Sequence, residues 1–224
     1  MSMRDYKTKM IWDNVTPVAI SSSTNANPSV ITSASAHGLT TGQRVMIFNH
    51  ATNTAINGIF EVVFITATTF SLKDVSTGLS VAGNGIGGAT GYSLPAPDVS
   101  LGLDWTNIEF QASITGVGAT TATILIAGSL GKPDSGIASV GSASNDTPNF
   151  GAGATVANPY ESLALISMLD ESAIAGGTGI TAAAADITCK LYRLRTPGIK
   201  YYAPILTAWT QGAITLRAVT YNNQ

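Results

Sequence analysis

The sequence predicts an all-β protein, in which a β-sandwich or jelly-roll-like domain carries an inserted small β-barrel. Three observations support this prediction. Short alternating runs rich in β-branched residues dominate, turn residues separate these runs, and stretches with helical periodicity are scarce. Many short strands joined by turns are typical of sandwiches and barrels.

Nine runs are predicted to be strands, because each combines β-branched or aromatic residues with alternation of apolar and polar positions. They are Val15–Ser22, Arg44–Phe48, Ile59–Thr66, Thr69–Leu72, Ile108–Ile114, Thr121–Ser129, Ile187–Arg195, Tyr202–Trp209 and Ala213–Thr220. The run Tyr160–Leu169 has some helical propensity, but its alternation and its β neighbours favour a buried strand.

A change of composition marks the inserted module at residues 29–75. This segment is compact and has its own turn signals, among them Asn57-Gly58, a dipeptide that suits the positive φ angles of tight hairpins. Residues 76–91 follow and are rich in glycine. They predict a linker, because side chains of so little bulk build no core.

The sandwich domain is therefore expected to comprise residues 1–28 and 92–224, with Met1–Val15 as an N-terminal arm that contacts partners. Two further stretches rich in Gly, Ser and Ala, residues 131–156 and 173–185, are expected to be loops or arms. Long loops of this kind commonly serve binding, so their number favours a protein that assembles with others.

Composition favours assembly over an isolated monomer. Charged residues make up only 11% of the chain and hydrophobic residues 45%, whereas roughly 25% charge is usual for soluble domains. So few charges leave a weakly solvated surface, which partners are expected to cover. The formal net charge of −2 provides no basic field for phosphates, so we expect no nucleic-acid partner.

No run of the sequence reaches the length of about 18 apolar residues that a membrane-spanning helix needs. The polar start Met-Ser-Met-Arg-Asp-Tyr-Lys does not resemble a signal peptide. We therefore expect no membrane association and a protein that is made and kept in a cytoplasm.

The histidines and the single cysteine do not form a recognisable active site. His37 lies in a turn, where hydrogen bonding to the local backbone is expected, and His50 ends a strand and is expected at the surface. Neither has the spacing of a metal ligand, and Cys189 is expected to be a buried structural thiol. We expect no catalytic residue, no metal and no cofactor, and hence no enzyme.

The segment Gly83–Gly88 matches the glycine spacing of dinucleotide-binding loops. Such loops need a buried strand before them and a helix after them, so that backbone amides point at the pyrophosphate. Neither neighbour is evident here. A flexible linker is therefore the preferred interpretation of these glycines.

The inserted module resembles the small β-barrel repeat that recurs in phage tail and coat proteins and is similar to the first catalytic-cysteine half-domain of ubiquitin-activating enzymes. The residues that carry this resemblance are His37, Gly38, Leu39, Gly42, Val45, Asn57, Gly58, Phe60, Val62, Thr69, Phe70 and Leu72. The repeat has no catalytic residues of its own. The resemblance implies a compact spacer or contact domain within a virus particle.

The rest of the chain is similar in strand order to small phage decoration, or cement, proteins. The runs Asn107–Ile114, Ala122–Ser129, Tyr201–Ala208 and Gly212–Ala218 carry this likeness. It implies a structural protein of the virion, assembled in the bacterial host cytoplasm, that bridges major capsid subunits as a homo-oligomer, with a trimer favoured. A tail, neck or fibre-attachment component is the alternative. A carbohydrate-binding module for host recognition is the alternative from another class.

Aromatic residues supply the candidate interface, because large aromatic side chains dominate buried contacts between proteins. The candidates are Trp12, Trp105, Tyr201, Tyr202 and Trp209. The carbohydrate-binding alternative depends mainly on Trp105.

Overall fold

The computed structural model describes residues 6–75, 77–88, 90–96, 107–116, 121–129, 161–162, 165–167, 173–174, 179–183, 185–194 and 201–221. In these ranges the chain forms sixteen strands and one short 3-10 turn, Thr54–Ile56. The predicted all-β fold class is confirmed.

The strands are numbered in chain order. They are β1 (Tyr6–Val15), β2 (Val18–Ser23), β3 (Val30–Ser33), β4 (Arg44–Phe48), β5 (Gly58–Thr66), β6 (Thr69–Asp74), β7 (Tyr92–Pro95), β8 (Asn107–Thr115), β9 (Thr121–Ser129), β10 (Glu161–Ser162), β11 (Leu165–Ser167), β12 (Ala173–Ile174), β13 (Ile180–Ala183), β14 (Ile187–Leu194), β15 (Tyr201–Trp209) and β16 (Ala213–Tyr221). They belong to two compact units. Strands β2 to β7 form the barrel unit, and β1 with β8 to β16 form the sheet unit.

The barrel unit is a closed, six-stranded antiparallel barrel with the strand order β2-β3-β6-β5-β4-β7. Apolar side chains from most of these strands, and from the connections between them, fill its interior. The buried members of this core are Ile20, Ile31, Leu39, Val45, Ile47, Ile56, Phe60, Val62, Phe70 and Leu72. Closure leaves no free strand edge, so the barrel offers partners side chains rather than unpaired backbone.

The barrel extends beyond the predicted limits of residues 29–75. Strand β2 pairs with β3 and β7, and β7 also pairs with β4, so these two strands close the barrel. The predicted strand Val15–Ser22 thus lies mainly in the barrel as β2, not in the sandwich. Strand β7 was not predicted, because its four residues are too short a run to show alternation.

The sheet unit contains two antiparallel sheets. One has the order β1-β16-β8-β14-β11-β12, and in the other β9 pairs with β15 on one side and with β10 and β13 on the other. The chain passes from one sheet to the other six times, between β8 and β9, β10 and β11, β12 and β13, β13 and β14, β14 and β15, and β15 and β16. In β8 the residues Ile108, Phe110, Ala112 and Ile114 are buried and alternate with more exposed ones. Such one-sided burial is the pattern expected of the sheets of a sandwich.

The predicted N-terminal arm Met1–Val15 is a strand over residues 6–15. Strand β1 pairs with β16 from Tyr6 opposite Tyr221 to Val15 opposite Ile214. The lysines near its start and two register shifts hide its alternation in the sequence. These irregularities also disrupt the ladder of an edge strand, which discourages edge-to-edge pairing with other chains.

Most of the predicted strands are confirmed, two of them with the predicted bounds: Arg44–Phe48 and Thr121–Ser129. Strands β10 and β11 lie within Tyr160–Leu169, where a strand was preferred to a helix. The predicted loop at residues 173–185 is wrong in part, since it contains β12 and β13. The predicted loop at residues 131–156 lies outside the described residues.

Truncation of Phe70 is expected to destabilise the barrel far more than truncation of Phe64, although the two residues are cross-strand partners on β6 and β5. Phe70 is fully buried in the core, whereas Phe64 is 47% exposed. Chemical denaturation should show a loss of about 3–5 kcal/mol for Phe70→Ala and of less than about 1.5 kcal/mol for Phe64→Ala. Equal losses would contradict the placement of these side chains.

Candidate functional site

The glycine-rich segment after β6 is an ordered part of the barrel unit, in contrast to the linker predicted at residues 76–91. Residues 77–91, of which 77–88, 90 and 91 are described, are called the strap here. The backbone hydrogen bonds that join it to the rest of the barrel unit are Gly78 N to Asp74 O (2.9 Å), Asp74 N to Leu79 O (2.8 Å), Val81 N to Leu72 O (3.0 Å), Ser29 N to Val81 O (2.8 Å), Gly83 N to Ala26 O (2.9 Å), Ser23 N to Gly87 O (3.2 Å), Gly87 N to Ser23 O (3.3 Å) and Ile20 N to Gly91 O (3.0 Å).

The glycines of the strap allow its backbone to lie directly on the barrel unit. A Cβ atom at Gly83 would overlap the carbonyl oxygen of Thr24, and one at Gly87 would overlap the imidazole ring of His50. The dinucleotide-like spacing therefore serves close packing between backbone segments. The prediction of a flexible linker is wrong for the described part of the strap.

Asn53 is the centre of a buried polar cluster beneath the strap. Its side-chain amide donates to the hydroxyls of Ser23 (3.0 Å) and Ser29 (3.2 Å) and to the carbonyl oxygen of Thr24 (3.2 Å). Its Oδ1 atom accepts a hydrogen bond from the backbone N–H of Asn84 in the strap (3.0 Å). One side chain thus ties the strap to the segment around β2 and β3.

Asn84 makes the second connection from the strap. Its Oδ1 accepts from the backbone N–H of Ala55 (3.1 Å), and its Nδ2 donates to the hydroxyl of Thr54 (2.9 Å). Both partners belong to the 3-10 turn that follows Asn53. Sequence reasoning missed Asn53 and Asn84; the available signal was the density of amide residues around positions 49–57 and 84.

His50 lies beside this cluster and is only 1% exposed, so its predicted surface position is wrong. Its Nδ1 accepts a hydrogen bond from the backbone N–H of Asn53 (3.2 Å), which places the ring proton on Nε2. Asn57 holds the backbone of His50 with two further bonds of 2.9 Å. Nε2 is the one buried side-chain nitrogen or oxygen without a hydrogen-bond partner among the described residues. Burial lowers the pKa of His50, because the charged form loses its hydration.

His37 has a different environment, in which both ring nitrogens are used. Its Nδ1 accepts from the backbone N–H of Leu39 (3.0 Å), and its Nε2 lies 2.9 Å from the carbonyl oxygen of Thr66. The ring also meets Phe64 and Phe70 edge-on. The expected hydrogen bonding of His37 to local backbone is confirmed.

Cys189 is exposed, so the prediction of a buried thiol is wrong. Its backbone has φ of 48°, at the register shift between Ile187 and Lys190 of β14. Such an irregularity turns the side chain away from the alternation that the sequence predicts. The neighbouring Ser113 hydroxyl accepts a hydrogen bond from the Cys189 N–H (2.9 Å).

In the described part of the sheet unit, Glu109, Arg193 and Tyr221 form a charged cluster on adjacent strands. Arg193 donates through Nε (3.2 Å) and Nη2 (3.1 Å) to Oε1 of Glu109, which also accepts from the hydroxyl of Tyr221 (2.7 Å). The hydrogen bond to Glu109 raises the pKa of Arg193, and burial raises that of Tyr221. The cluster joins β14, β8 and β16, which is a structural role.

Of the predicted interface residues, Trp12 and Trp209 have described side chains. Trp12 is buried, so it contributes to the interior and offers little surface to a partner, in contrast to the prediction. Trp209 is partly buried, and its indole N–H donates to the carbonyl oxygen of Gly212 (3.2 Å). The two residues lie in different sheets of the sheet unit.

For two of the remaining predicted interface residues the structure describes the backbone alone, and the third lies outside the described residues. The backbones of Tyr201 and Tyr202 lie in β15, opposite Ser129 and Gly128 of β9. Trp105, the residue on which the carbohydrate-binding alternative depends, lies outside the described residues.

Large apolar side chains are exposed on the barrel unit. Phe64 and Ile65, each 47% exposed, are consecutive near the end of β5, and Leu79 (68%) and Ile86 (81%) lie in the strap. Exposed apolar groups of this size commonly mark contacts with other proteins. These four residues are the candidate contact residues of the barrel unit, and the sequence analysis did not select them.

The described residues contain no group of three or more His, Cys, Asp or Glu side chains that could hold a metal ion. In the same ranges, no helix is long and apolar enough to cross a membrane. The arrangement that the structure does show is a buried polar cluster beneath an ordered strap, together with exposed apolar side chains on the barrel unit.

Adding a single methyl group at Gly87 is expected to destabilise the barrel unit, because the new Cβ would overlap the His50 ring. Overpacking of this kind costs about 1–3 kcal/mol. The matched control is Gly88→Ala, since a Cβ at Gly88 would meet nothing within 4 Å. Chemical denaturation of both variants checks this expectation, and equal stability of Gly87→Ala and the parent would refute the close contact.

Comparisons with protein-family models, with curated proteins and with solved structures find no match to this chain. They therefore assign it to no family. The function proposed below is based on the residues and the geometry of the chain itself.

Proposed function

We propose that the chain is a non-enzymatic structural component of a bacteriophage particle, most specifically a decoration protein that bridges major capsid subunits. The observation that carries this proposal is the exposure of Phe64, Ile65, Leu79 and Ile86 on the barrel unit. In a chain with only 11% charged residues, these side chains are suited to contact other proteins. The resemblance of the barrel motif to phage particle repeats supports the same function.

Burial of these side chains supplies the energy for such contacts. Fully burying one large apolar side chain contributes about 1.5–3 kcal/mol. A decoration protein gains this energy at every seam that it covers, and a symmetric shell repeats the gain many times. The added buried area holds neighbouring capsid subunits together against the internal pressure of packaged DNA.

The closed barrel suits a contact domain for a second reason. Because its strands are all paired around the ring, it has no free edge that could recruit strands from other chains. Its contacts must therefore be made through side chains, which restricts them to surfaces of complementary shape. This property favours specific docking over uncontrolled aggregation at the high local concentration of an assembling particle.

The number of copies per virion tests the proposal. Quantitative mass spectrometry of purified particles, with the major capsid protein as internal standard, should give close to one copy per capsid subunit, or three copies per three-fold position for a trimer. A handful of copies would instead support the tail, neck or fibre-attachment alternative. Absence of the chain from purified particles would contradict both structural functions.

Replacement of both Phe64 and Ile65 by Ser is expected to lower the occupancy of the protein on capsids. The double variant removes two exposed apolar contacts near the end of β5 and leaves the barrel core intact. Binding of purified variants to undecorated capsids, measured by co-sedimentation, checks this prediction. Ala67→Ser, an exposed substitution in the adjacent turn, is the matched control. Unchanged occupancy of the double variant would remove these residues from the interface.

A further inference from the structure

The imidazole of His50 lies where the strap meets the rest of the barrel unit. The backbone of Gly87 approaches the ring so closely that no Cβ could be placed between them. In addition, Nδ1 of His50 accepts a hydrogen bond from the backbone N–H of Asn53. The ring therefore contacts the strap directly and also contacts the residue whose side chain binds the strap.

Protonation of His50 removes one of these two contacts. Nδ1 can accept the Asn53 N–H only while it carries a lone pair, so an imidazolium would direct its own Nδ1–H at that N–H. The hydrogen bond would then be lost and a buried charge created. Both effects are unfavourable in a site that is 1% exposed.

Asn53 carries the effect to the strap. The backbone N–H of Asn53 bonds to His50, while its Oδ1 accepts the N–H of Asn84 in the strap. Displacement of Asn53 therefore weakens the attachment of the strap. Asn57, four residues further along the chain, holds the backbone of His50.

Among the residues that the structure describes, those that contact His50 carry no charge that would favour its protonation. These contacts are made by Asn53, Asn57, Gly87 and Gly91. The titratable group on the neighbouring β7 is Tyr92, the residue after Gly91. Its ring packs on Phe48, with ring centroids 5.6 Å apart, two residues before His50 in the chain.

We propose that the strap is a pH-sensitive clasp, which lies closed on the barrel when His50 is neutral and opens when His50 is protonated. This inference goes beyond the proposed function and does not depend on it. Opening would move the exposed side chains of Leu79 and Ile86, which are two of the four candidate contact residues of the barrel unit, away from their present positions.

The direction of the pH effect follows from the environment of the ring. Burial lowers the pKa of His50 in the closed state, and the open state regains an ordinary value near 6.5. The open state therefore binds the proton more readily, and the closed state is fully favoured only above about pH 6.5. As the pH falls from the pKa of His50 in the open state towards its lower pKa in the closed state, the ratio of closed to open strap falls by up to about tenfold per pH unit.

Hydrogen exchange of the full chain, measured by mass spectrometry at pH 7.5 and pH 5 and corrected for the intrinsic effect of pH, tests the clasp. Protection in a peptide covering Val81–Gly87 should fall at pH 5, by up to about tenfold for each unit by which burial lowers the pKa of His50. Protection in β5 and β6 should change much less. Equal protection of the strap at the two pH values would overturn the proposal.

The variant His50→Asn separates this effect from other titrations. Asn can place an oxygen near the position of Nδ1, so it can accept the Asn53 N–H, but it does not titrate. The variant keeps His37 and every carboxylate. Its strap should show the same protection at both pH values, and a pH dependence that persists would overturn the clasp.

A measurement on the parent protein gives a test that does not depend on the folding of the variant. The NMR titration of the His50 ring should have the same midpoint as the loss of strap protection. His37, whose two ring nitrogens both have partners, serves as the internal reference. Strap opening that follows the titration of His37, or that of carboxylates near pH 4, would contradict the assignment to His50.

Discussion

The close approach of the strap to the barrel is the constraint on which the barrel unit depends. The backbone of the strap lies directly against other backbone at Gly83 and Gly85, and against the imidazole of His50 at Gly87. At such distances the peptide groups of both segments lose water, so each needs a partner. The side chain of Asn53 bonds to two of these peptide groups, the carbonyl oxygen of Thr24 and the N–H of Asn84, and backbone hydrogen bonds of the strap satisfy others. Glycine and asparagine, which are usually considered loop residues, are here structural residues.

Much of the fold could be predicted from the sequence, because alternation is visible wherever one face of a strand is buried and the other is not. The strands Arg44–Phe48 and Thr121–Ser129 have this pattern and were predicted with their observed bounds. Strand β7 is too short to show a period, and β1 combines lysines with two register shifts. Closure of the barrel by β2 and β7 depends on pairing between distant segments, which local patterns do not encode.

The site was harder to predict for a related physical reason. Glycine permits both close packing and flexibility, so the residue type alone does not distinguish the two roles. Only the atoms that lie opposite its Cα do so. The burial of His50 likewise depends on the strap, which is distant in sequence from the strand that His50 follows. Conversely, the sequence correctly indicated that His37 bonds to local backbone, because its partner Leu39 is only two residues away.

The central claim is that the strap is a fixed part of the barrel unit, and the proposed contacts and the clasp both depend on it. Backbone ¹⁵N relaxation of the full chain at pH 7.5 tests this claim most directly, through the order parameters of Gly83, Gly85 and Gly87. The structure predicts values of about 0.85, as in rigid backbone, equal to those of β5 and β6. Values below about 0.6 would show a flexible linker and would contradict the account.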